Sequence, residues 1–404
     1  AMNLPPVCLI LAGGQGSRLN ALAWHRAKPA VPFAGIYRLI DFTLSNSANS
    51  GLNRVGVLTQ YLPLSLMDHI GTGESWDLSA RTRECRILPP NEGASAKDWY
   101  LGTSHAINVN EDFVRRGPEK EVLILSGDHI YHMDYRKMIQ FHRENDADFT
   151  IATMEVPLAD AHRFGIAVTD EKNRIIEFQE KPAEPRGTLG SMGIYIANAD
   201  VTMSRIKELN AEGKTDIGGD LVPSMIGDCR VFAYPFEGYW RDVGTMHSYW
   251  DCSMDLLNPT ASGLDLRNWD MRTNMYVYEV CDRPPTRFGH GSQVSESFVS
   301  QGCRIEGRVH RSILSPGVTV EEGAEVIDSV IFHDTHIGRG SRVVKTISDK
   351  NVTIRSGSIL EPANGDKPNM AFPDHLNTGL ILLGNRSMIP EGVTSLGEWS
   401  DTTG

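Results

Sequence analysis

A glycine-rich loop with nearby basic residues is the part of this chain whose residue types are best suited to chemistry. The apolar run Val7–Leu11 leads into Leu11-Ala12-Gly13-Gly14-Gln15-Gly16-Ser17-Arg18, and a second basic cluster, Arg26-Ala27-Lys28-Pro29, follows closely. The glycines leave backbone N–H groups free to bind phosphate oxygens, and Arg18 and Lys28 add positive charge. The stretch therefore predicts a site for a triphosphate or pyrophosphate.

Two well-known phosphate-binding patterns do not fit this loop. It lacks the Gly-Lys-Ser/Thr ending of the ATPase phosphate loop, and its glycines are misplaced for Gly-x-Gly-x-x-Gly. A glycine-rich turn after a strand can also be no more than a tight connection. The two added cations favour phosphate binding over that simpler interpretation.

An acidic residue follows the predicted end of another apolar strand. Asp128 lies in Gly127-Asp128-His129, just after the apolar residues 122–125. Mg²⁺ binds through one or two carboxylates together with phosphate oxygens, so a carboxylate facing a triphosphate is suited to that ion. The alternative for Asp128 is a turn residue that caps a helix. His129 and His132 are interpreted as residues flanking a strand end and not as a metal pair.

The first 255 residues alternate apolar strands with helical stretches. This alternation predicts a Rossmann-like α/β domain, in which a mostly parallel sheet carries helices on both faces. Ligands of such sheets collect beyond the carboxyl ends of the strands, where the glycine loop and Asp128 would lie. Helices are predicted at Tyr135–Glu144 and Val201–Leu209. The predicted strands are Val7–Leu11, Val55–Leu58, Val122–Ser126, Phe149–Met154, Gly165–Val168 and Met192–Ile196.

Residues 256–285 are predicted to be a linker that packs on the surface, and residues 286–404 a second domain. From Ser292 to Leu360, apolar residues recur about every five to seven positions, an imperfect hexapeptide repeat typical of a β-helix. A sandwich of short strands is the alternative. The apolar set comprises Val294, Phe298, Ile305, Val309, Ile313, Val318, Val326, Val330, Ile337, Val343, Ile347, Val352, Ile354 and Ile359.

Length and composition restrict the function classes. The 404 residues predict two domains, and the net charge of -12 argues against nucleic acid or an anionic membrane as the main partner. No apolar run is long enough to span a bilayer, and no secretion signal is visible. The six cysteines form no Cys-x-x-Cys pair, which favours unpaired thiols in a reducing cytoplasm and argues against zinc.

A series of motifs starts with the glycine loop and continues in a fixed order. Gly-Gly-x-Gly-x-Arg-Leu is followed by Arg-Ala-Lys-Pro-Ala-Val-Pro-Phe, and further motifs occupy residues 40–46, 99–103, 126–131, 177–182, 191–195 and 239–245. The series resembles the sugar-1-phosphate nucleotidylyltransferases and, within them, the bacterial ADP-glucose pyrophosphorylases. The shared order makes the resemblance far more specific than any single motif.

The resemblance implies transfer of AMP from ATP to glucose 1-phosphate with release of pyrophosphate, a step that feeds glycogen-like α-glucan synthesis. It implies Mg²⁺ held by Asp128 and Asp242, and catalytic roles for Arg18, Lys28 and Asp128. Arg18 would stabilise the departing phosphates and Lys28 the α-phosphate. A left-handed β-helix, a homotetramer and small-molecule allosteric effectors are also implied.

The residues expected to contact each ligand follow from the same resemblance. His25, Arg26 and Arg38 are the expected effector residues. The expected sugar-phosphate contacts are Tyr100, Gly165, Glu180, Lys181, Ser191 and Asp242. The expected nucleotide contacts are Leu11, Ala12, Gly13, Gly14, Gly16, Gln60, Trp99, Tyr100, Gly102 and Thr103.

Departures from the family pattern keep alternatives open. The loop before Trp99 reads Leu88-Pro89-Pro90-Asn91-Glu92-Gly93 where the family commonly has Gln-Gln, and Ser104-His105-Ala106 replaces Ala-Asp-Ala. Another base or sugar 1-phosphate is therefore an alternative, as is a non-catalytic regulatory subunit of the same fold. An acyltransferase within the β-helix is disfavoured, because its histidines are expected to face solvent: His310, His333 and His336.

Overall fold

The computed structural model describes residues 4–14, 16–90, 100–362 and 379–393. Within them, the N-terminal part is built on a nine-stranded sheet and the C-terminal part on three sheets of parallel strands. Trp99, a predicted nucleotide contact, lies outside the described residues. None of the described helices is long and apolar enough to cross a membrane.

The N-terminal strands confirm the predicted α/β sheet, and each predicted strand lies within an observed one. The strands are β1 (Val7–Ala12), β2 (Pro32–Phe33), β3 (Tyr37–Arg38), β4 (Arg54–Thr59), β5 (Glu84–Leu88), β6 (Glu121–Ser126), β7 (His129–Tyr131), β8 (Phe149–Glu155), β9 (Gly165–Thr169), β10 (Ile175–Glu180), β11 (Leu189–Asn198), β12 (Val231–Pro235) and β13 (Trp240–Asp242).

The large sheet is mixed, with parallel strands at its centre. Its order is β10-β9-β11-β6-β1-β4-β5, and β8 pairs with β11 and β12. Strand β1 runs parallel to β4 and β6, whereas β11 runs antiparallel to β6 and β8. Successive residues of β1 are buried in the two apolar cores on opposite faces of the sheet, Leu9 in one and Ile10 in the other. Burial on both faces explains why this strand is apolar at every position.

Helices cover the sheet, and one of them shows how local sequence sets a boundary. Asp134 accepts a hydrogen bond from the backbone N–H of Arg136, so the helix begins at Tyr135 as predicted. The α-helices are α1 (Leu39–Asn49), α2 (Leu64–Ile70), α3 (Thr103–Val109), α4 (Glu111–Arg115), α5 (Tyr135–Glu144), α6 (Ala199–Ala211), α7 (Val222–Ile226), α8 (Met246–Asp255) and α9 (Pro259–Ser262).

The C-terminal part is a three-sided parallel β-helix, consistent with the left-handed type expected from hexapeptide repeats. All of its strand pairs are parallel within three sheets. One sheet contains β14 (Arg287–Phe288), β17 (Arg304–Ile305), β20 (Thr319–Val320), β23 (His336–Ile337), β26 (Thr353–Ile354) and β29 (Met388–Ile389). The second contains β15 (Gln293–Ser295), β18 (Arg308–His310), β21 (Glu325–Ile327), β24 (Arg342–Val344) and β27 (Ile359–Leu360). The third contains β16 (Phe298–Val299), β19 (Ile313–Leu314), β22 (Val330–Ile331), β25 (Thr346–Ser348) and β28 (Ile381–Leu383).

Apolar side chains stack through the middle of this β-helix, which is what the repeat requires. Ile305, Ile337 and Ile354 are fully buried along one side of the stack. Three residues of the predicted apolar set are instead 37–38% exposed: Val294, Phe298 and Ile359. They belong to the first or last described strand of their sheets, so no further described coil covers them.

Residues 256–285 pack against both domains. Trp269 of this connection, Phe33 of the N-terminal part and Phe332 of the β-helix belong to one buried apolar cluster. Trp250 also donates a hydrogen bond from its ring nitrogen to the carbonyl oxygen of Asp328 at 2.8 Å. The two parts and their connection therefore share an interior.

Candidate functional site

A buried lysine between two carboxylates marks the centre of the predicted site. Lys28 Nζ lies 2.5 Å from Asp128 Oδ2 and 3.3 Å from Asp242 Oδ1. The lysine side chain is 8% exposed, whereas the Asp128 and Asp242 side chains are 24% and 37% exposed. The structure thus brings together the three residues predicted to bind phosphate and metal.

Local folding explains how these residues meet. Asp128 follows the carboxyl end of β6, and β13 pairs with β7 so that Asp242 lies opposite His129. Gly16 adopts a left-handed conformation, with φ of 65°, and a Cβ there would lie 2.9 Å from Lys28 Cβ. The glycine loop therefore packs directly on the lysine.

The three charges stabilise one another. Burial alone would lower the pKa of Lys28, but the negative charges of Asp128 and Asp242 outweigh it and raise that pKa. Burial would likewise raise the pKa of Asp128, but the Lys28 and His129 charges outweigh it and lower that pKa. Lys28 is therefore a cation, and Asp128 an anion, at neutral pH.

Arg18 lies at the edge of the same site. It is exposed, and a Cβ on Gly244 would be 3.2 Å from its Nη2 and 3.2 Å from Asp242 Oδ1. The guanidinium and the Asp242 carboxylate thus approach each other around Gly244. An exposed cation at this position is free to meet an incoming phosphate.

The predicted nucleotide contacts lie on two neighbouring segments. Leu11 and Ala12 end β1, and the loop beyond contains the exposed Gly14. A Cβ on Gly13 would be 3.0 Å from Gln60 Cβ, so the loop packs against that side chain. Gln60 Nε2 in turn donates to the backbone oxygen of Tyr100 at 3.3 Å.

Two of the predicted sugar-phosphate contacts, Gly165 and Lys181, lie next to a third, Glu180. Its carboxylate would be 3.0 Å from a Cβ on Gly165, and it lies 3.7 Å from Lys181 Nζ. Burial, strengthened by the charge of Asp216, raises the pKa of Glu180. Ser191 lies in β11, and its hydroxyl accepts a hydrogen bond from Gly193 N at 3.2 Å.

Two residues of this region, Asp216 and Gly218, were not predicted. A Cβ on Gly218 would lie 2.4 Å from Glu180 Oε2, so a side chain there would displace that carboxylate. Asp216 caps the following helical turn by accepting a hydrogen bond from Gly219 N. The sequence Asp216-Ile217-Gly218-Gly219 carries the capping signal that could have identified this turn.

The expected effector residues lie at the junction of the two domains. His25 is exposed, but Arg26 is buried and pairs with Asp349 of the β-helix, with N–O distances of 2.9 and 3.1 Å. Arg38 Nη2 lies 3.0 Å from Glu279 Oε2, and Lys350 Nζ lies 2.5 Å from the same oxygen. The cations around this junction are thus already paired with carboxylates of the chain.

No local sequence pattern marks the partners Asp349, Glu279 and Lys350, because they lie far along the chain from Arg26 and Arg38. Burial and the neighbouring charges at this junction shift the pKa values of Glu279 and Lys350 strongly. Burial would raise the pKa of Glu279, but the charges of Lys350 and Arg38 outweigh it and lower that pKa to about 2. Burial, reinforced by Arg38 and Arg26, lowers the pKa of Lys350 to about 8.

One expectation for the β-helix histidines is wrong. His333 was expected to face solvent, but it is 4% exposed and lies near Lys350 and Glu279. Glu279 and Arg283, both in the connection between the domains, lie close enough to influence its pKa. His310 is half-buried, and the His336 side chain is 44% exposed.

The donor set at the site centre is small. Among the described residues, no group of three or more His, Cys, Asp and Glu side chains could hold a metal ion. Asp128 and Asp242 are nevertheless two carboxylates that already share one cation, the Lys28 ammonium. Two carboxylates completed by phosphate oxygens and water are the set that Mg²⁺ accepts.

The chain is similar in sequence to known proteins. A nucleotidyl transferase family model matches residues 7–259, and a model of the GlmU-like C-terminal hexapeptide domain matches residues 284–366. Among similar proteins are the glucose-1-phosphate adenylyltransferases of Bacillus cereus (strain ATCC 10987 / NRS 248) and Bacillus mycoides (strain KBAB4). Each is 46% identical over 361 residues, which is 88% of this chain and 94% of the relative. The protein of the same name from Bacillus anthracis is 46% identical over 360 residues, with the same coverage.

Proposed function

Since the chain belongs to the nucleotidyl transferase family, we propose that it transfers the adenylyl group of ATP to glucose 1-phosphate, forming ADP-glucose and pyrophosphate. The observation that carries the proposal is the Lys28 ammonium held between Asp128 and Asp242, directly behind the glycine loop. The relatives at 46% identity carry the name of that activity.

The reaction needs alignment and charge more than proton transfer. An oxygen of the sugar phosphate attacks the α-phosphorus, a new P–O bond forms, and the α–β bridging bond breaks with pyrophosphate as the leaving group. The attacking oxygen is already anionic at neutral pH, so no general base is required. Lys28 and Arg18 then neutralise charge that spreads over the α-phosphate and onto the departing pyrophosphate.

We assign Asp128 and Asp242 as the residues that would hold Mg²⁺. When bound, the ion supplies charge neutralisation for the phosphate oxygens. Both carboxylates already lie around one cation, and the lowered pKa of Asp128 keeps it ionised. Lys28, which contacts both, holds them in place.

On the sugar side, Glu180 would accept hydrogen bonds from sugar hydroxyls and Ser191 would donate one to a sugar hydroxyl. Lys181 would contact the phosphate of the sugar. The Lys181 side chain is 67% exposed, and its ammonium lies near Glu180. On the nucleotide side, the backbone of Gly13, Gly14 and Gly16 would approach the phosphates, because no side chain obstructs them there.

A panel of substrates tests this assignment against the alternative of another base or sugar. The purified full chain is assayed for pyrophosphate release with Mg²⁺ and each of ATP, dTTP, UTP and GTP, paired with glucose 1-phosphate or glucosamine 1-phosphate. ATP with glucose 1-phosphate is expected to have the highest kcat/KM. A higher value for another pair would replace the assigned substrates, and inactivity with every pair would favour the regulatory-subunit alternative.

We also propose that the chain forms a homotetramer in the cytoplasm, feeds α-glucan synthesis and responds to small anionic effectors. Exposed apolar side chains on the first β-helix coil, including Phe288 and Phe298, favour association. The six free cysteines accord with a reducing compartment. Sedimentation would measure the assembly, and steady-state assays with fructose phosphates and pyruvate would measure the response to effectors.

A further inference from the structure

Two segments that flank the site are joined to each other directly. We call residues 100–104 the nucleotide-side segment and residues 215–221 the sugar-side segment. Ser104 N donates a hydrogen bond to the backbone oxygen of Thr215 at 2.9 Å. In the other direction, Thr215 Oγ1 donates to the backbone oxygen of Leu101 at 3.3 Å.

The Thr103 hydroxyl is the centre of this junction. It donates to Asp216 Oδ1 at 3.1 Å and accepts a hydrogen bond from Ile217 N at 2.9 Å. The second Asp216 oxygen accepts from Gly219 N at 2.7 Å. The hydroxyl is therefore turned toward the sugar-side segment, and Asp216 connects it to the helical turn that follows.

Gly102 allows the two backbones to approach this closely. A Cβ at residue 102 would lie 2.4 Å from the backbone oxygen of Thr215, closer than real atoms come. The backbone there is extended, so space and not an unusual dihedral angle requires glycine.

Each segment also contacts residues expected to bind a substrate. Toward the nucleotide, the backbone of Tyr100 accepts a hydrogen bond from Gln60, which packs on Gly13 of the glycine loop. Toward the sugar, Gly218 packs against the Glu180 carboxylate. A continuous line of contacts thus runs from the glycine loop to Glu180.

We propose that the hydrogen bonds between Thr103 and the sugar-side segment at Asp216 and Ile217 couple the two substrates, so that bound nucleotide strengthens the binding of the sugar phosphate. Thr103 is thereby a positioning residue that acts through Asp216 and Gly218 on Glu180. The inference rests on the proposed function, because it takes the Glu180 region as the sugar-phosphate site.

The physical basis is shared ordering. A nucleotide that fixes the nucleotide-side segment also fixes the sugar-side segment hydrogen-bonded to it, and the second ligand then loses less freedom on binding. By linkage, the sugar phosphate must strengthen nucleotide binding by the same factor.

The test measures that factor at equilibrium in the full chain. Calorimetry gives the Kd of glucose 1-phosphate with Mg²⁺, in the absence and in the presence of saturating α,β-methylene-ATP, which cannot release pyrophosphate. The ratio of the two values is the coupling factor, expected to be about fivefold or more in the unmodified chain. Thr103→Val keeps the shape but removes the hydroxyl, and it should reduce the factor to about twofold or less.

Two variants separate coupling from general damage. Thr103→Ser restores the hydroxyl and should recover most of the factor. Thr188→Val removes a similar hydrogen bond, from Thr188 Oγ1 to Glu155 Oε2 at 2.6 Å, outside the two segments and should leave the factor unchanged.

The outcomes distinguish failure of the coupling role from failure of the proposed function. If Thr103→Val still binds both ligands and has the same coupling factor as the unmodified chain, the coupling role alone is overturned. Failure of the unmodified chain to bind glucose 1-phosphate at all would overturn the proposed function and the coupling role together.

Discussion

The Arg26 guanidinium and the Asp349 carboxylate form a two-pronged ion pair that joins the catalytic domain to the β-helix. Their side chains are only 6% and 0% exposed, and Arg26 also donates to the backbone oxygen of Leu22 at 3.0 Å. Arg26 lies two residues before Lys28, the lysine at the site centre. The docking of the two domains is thus connected with the position of Lys28.

Breaking this ion pair should destabilise the protein strongly. Asp349→Asn leaves the buried Arg26 charge without its counterion, and the loss of one partner in a buried pair costs about 3–5 kcal/mol. Urea denaturation followed by fluorescence measures the free energy of unfolding. As a control, Arg311→Gln removes the Arg311–Asp328 pair, whose arginine side chain is 47% exposed, and should cost less than about 1 kcal/mol. If both variants lose the same free energy of unfolding, the buried pair does not stabilise the protein more than the exposed one.

Removing either carboxylate at the site centre should abolish most of the turnover. Asp128→Ala and Asp242→Ala each remove a charge from the group that positions Lys28 and would hold Mg²⁺, and kcat should fall by about a hundredfold or more. The readout is pyrophosphate release with saturating substrates. Asp134→Ala is the control, because Asp134 caps α5 and pairs with Arg136 away from the site, so its turnover should be nearly normal. Near-normal turnover in Asp128→Ala would reject the assigned role.

Adding one methyl group to the glycine loop should displace Lys28. Gly16→Ala imposes a positive φ of 65° on alanine and places a Cβ 2.9 Å from Lys28 Cβ, so the lysine must shift. We expect kcat/KM to fall by about tenfold or more, since misplacement of about 1 Å has large effects on catalysis. Gly227→Ala, with open space around the new methyl group and no positive φ, is the matched control. Similar kinetics of both alanine variants would contradict the packing argument.

The buried histidine of the β-helix should make stability depend on pH. Burial, reinforced by the Lys350 charge, lowers the pKa of His333 from 6.5 to about 3, while Glu279 opposes the shift, and Arg38 and Arg283 add to it. Between these values the unfolded chain binds the proton and the folded chain does not. Stability from this group is therefore present above pH 6.5 and lost as the pH falls toward 3.

The variant His333→Gln isolates this effect. The free energy of unfolding of the unmodified chain, relative to the variant, should fall between pH 6.5 and 4 by up to about 1.4 kcal/mol per pH unit. The difference between the two proteins cancels other titrating groups. A difference that is constant with pH would show that His333 takes up its proton equally in both states.

Local features of the sequence were sufficient for the elements that carry the site. The apolar run before the glycine loop predicted β1, and the helical spacing after Asp134 predicted α5 with its observed ends. Gly-Asp-His after a buried strand correctly marked Asp128 as lying at the carboxyl end of β6. In each case the residues that form the sequence pattern are the same residues that fold into the predicted element.

Contacts that form only when the two domains pack together could not be predicted from local sequence. Arg26 meets Asp349 across 323 positions, and Lys350 meets Glu279 across 71. His333 was expected to face water from the repeat pattern alone, but in the docked chain it is 4% exposed and lies near charges of both the connection and the N-terminal part. Strand β11 begins at Leu189, earlier than the predicted start at Met192, because Leu189, Gly190 and Ser191 already pair with β8.

The apolar cluster that contains Phe33, Trp269 and Phe332 sets a limit on how this molecule can be divided. Cutting the chain after residue 255 would give water access to rings such as Phe33, a few positions beyond Lys28. The β-helix and the connection therefore complete the apolar packing around Phe33 in the N-terminal part. Loss of the coil that contains Phe332 should therefore loosen the packing around Phe33, close in the chain to Lys28, the lysine proposed to neutralise the phosphates.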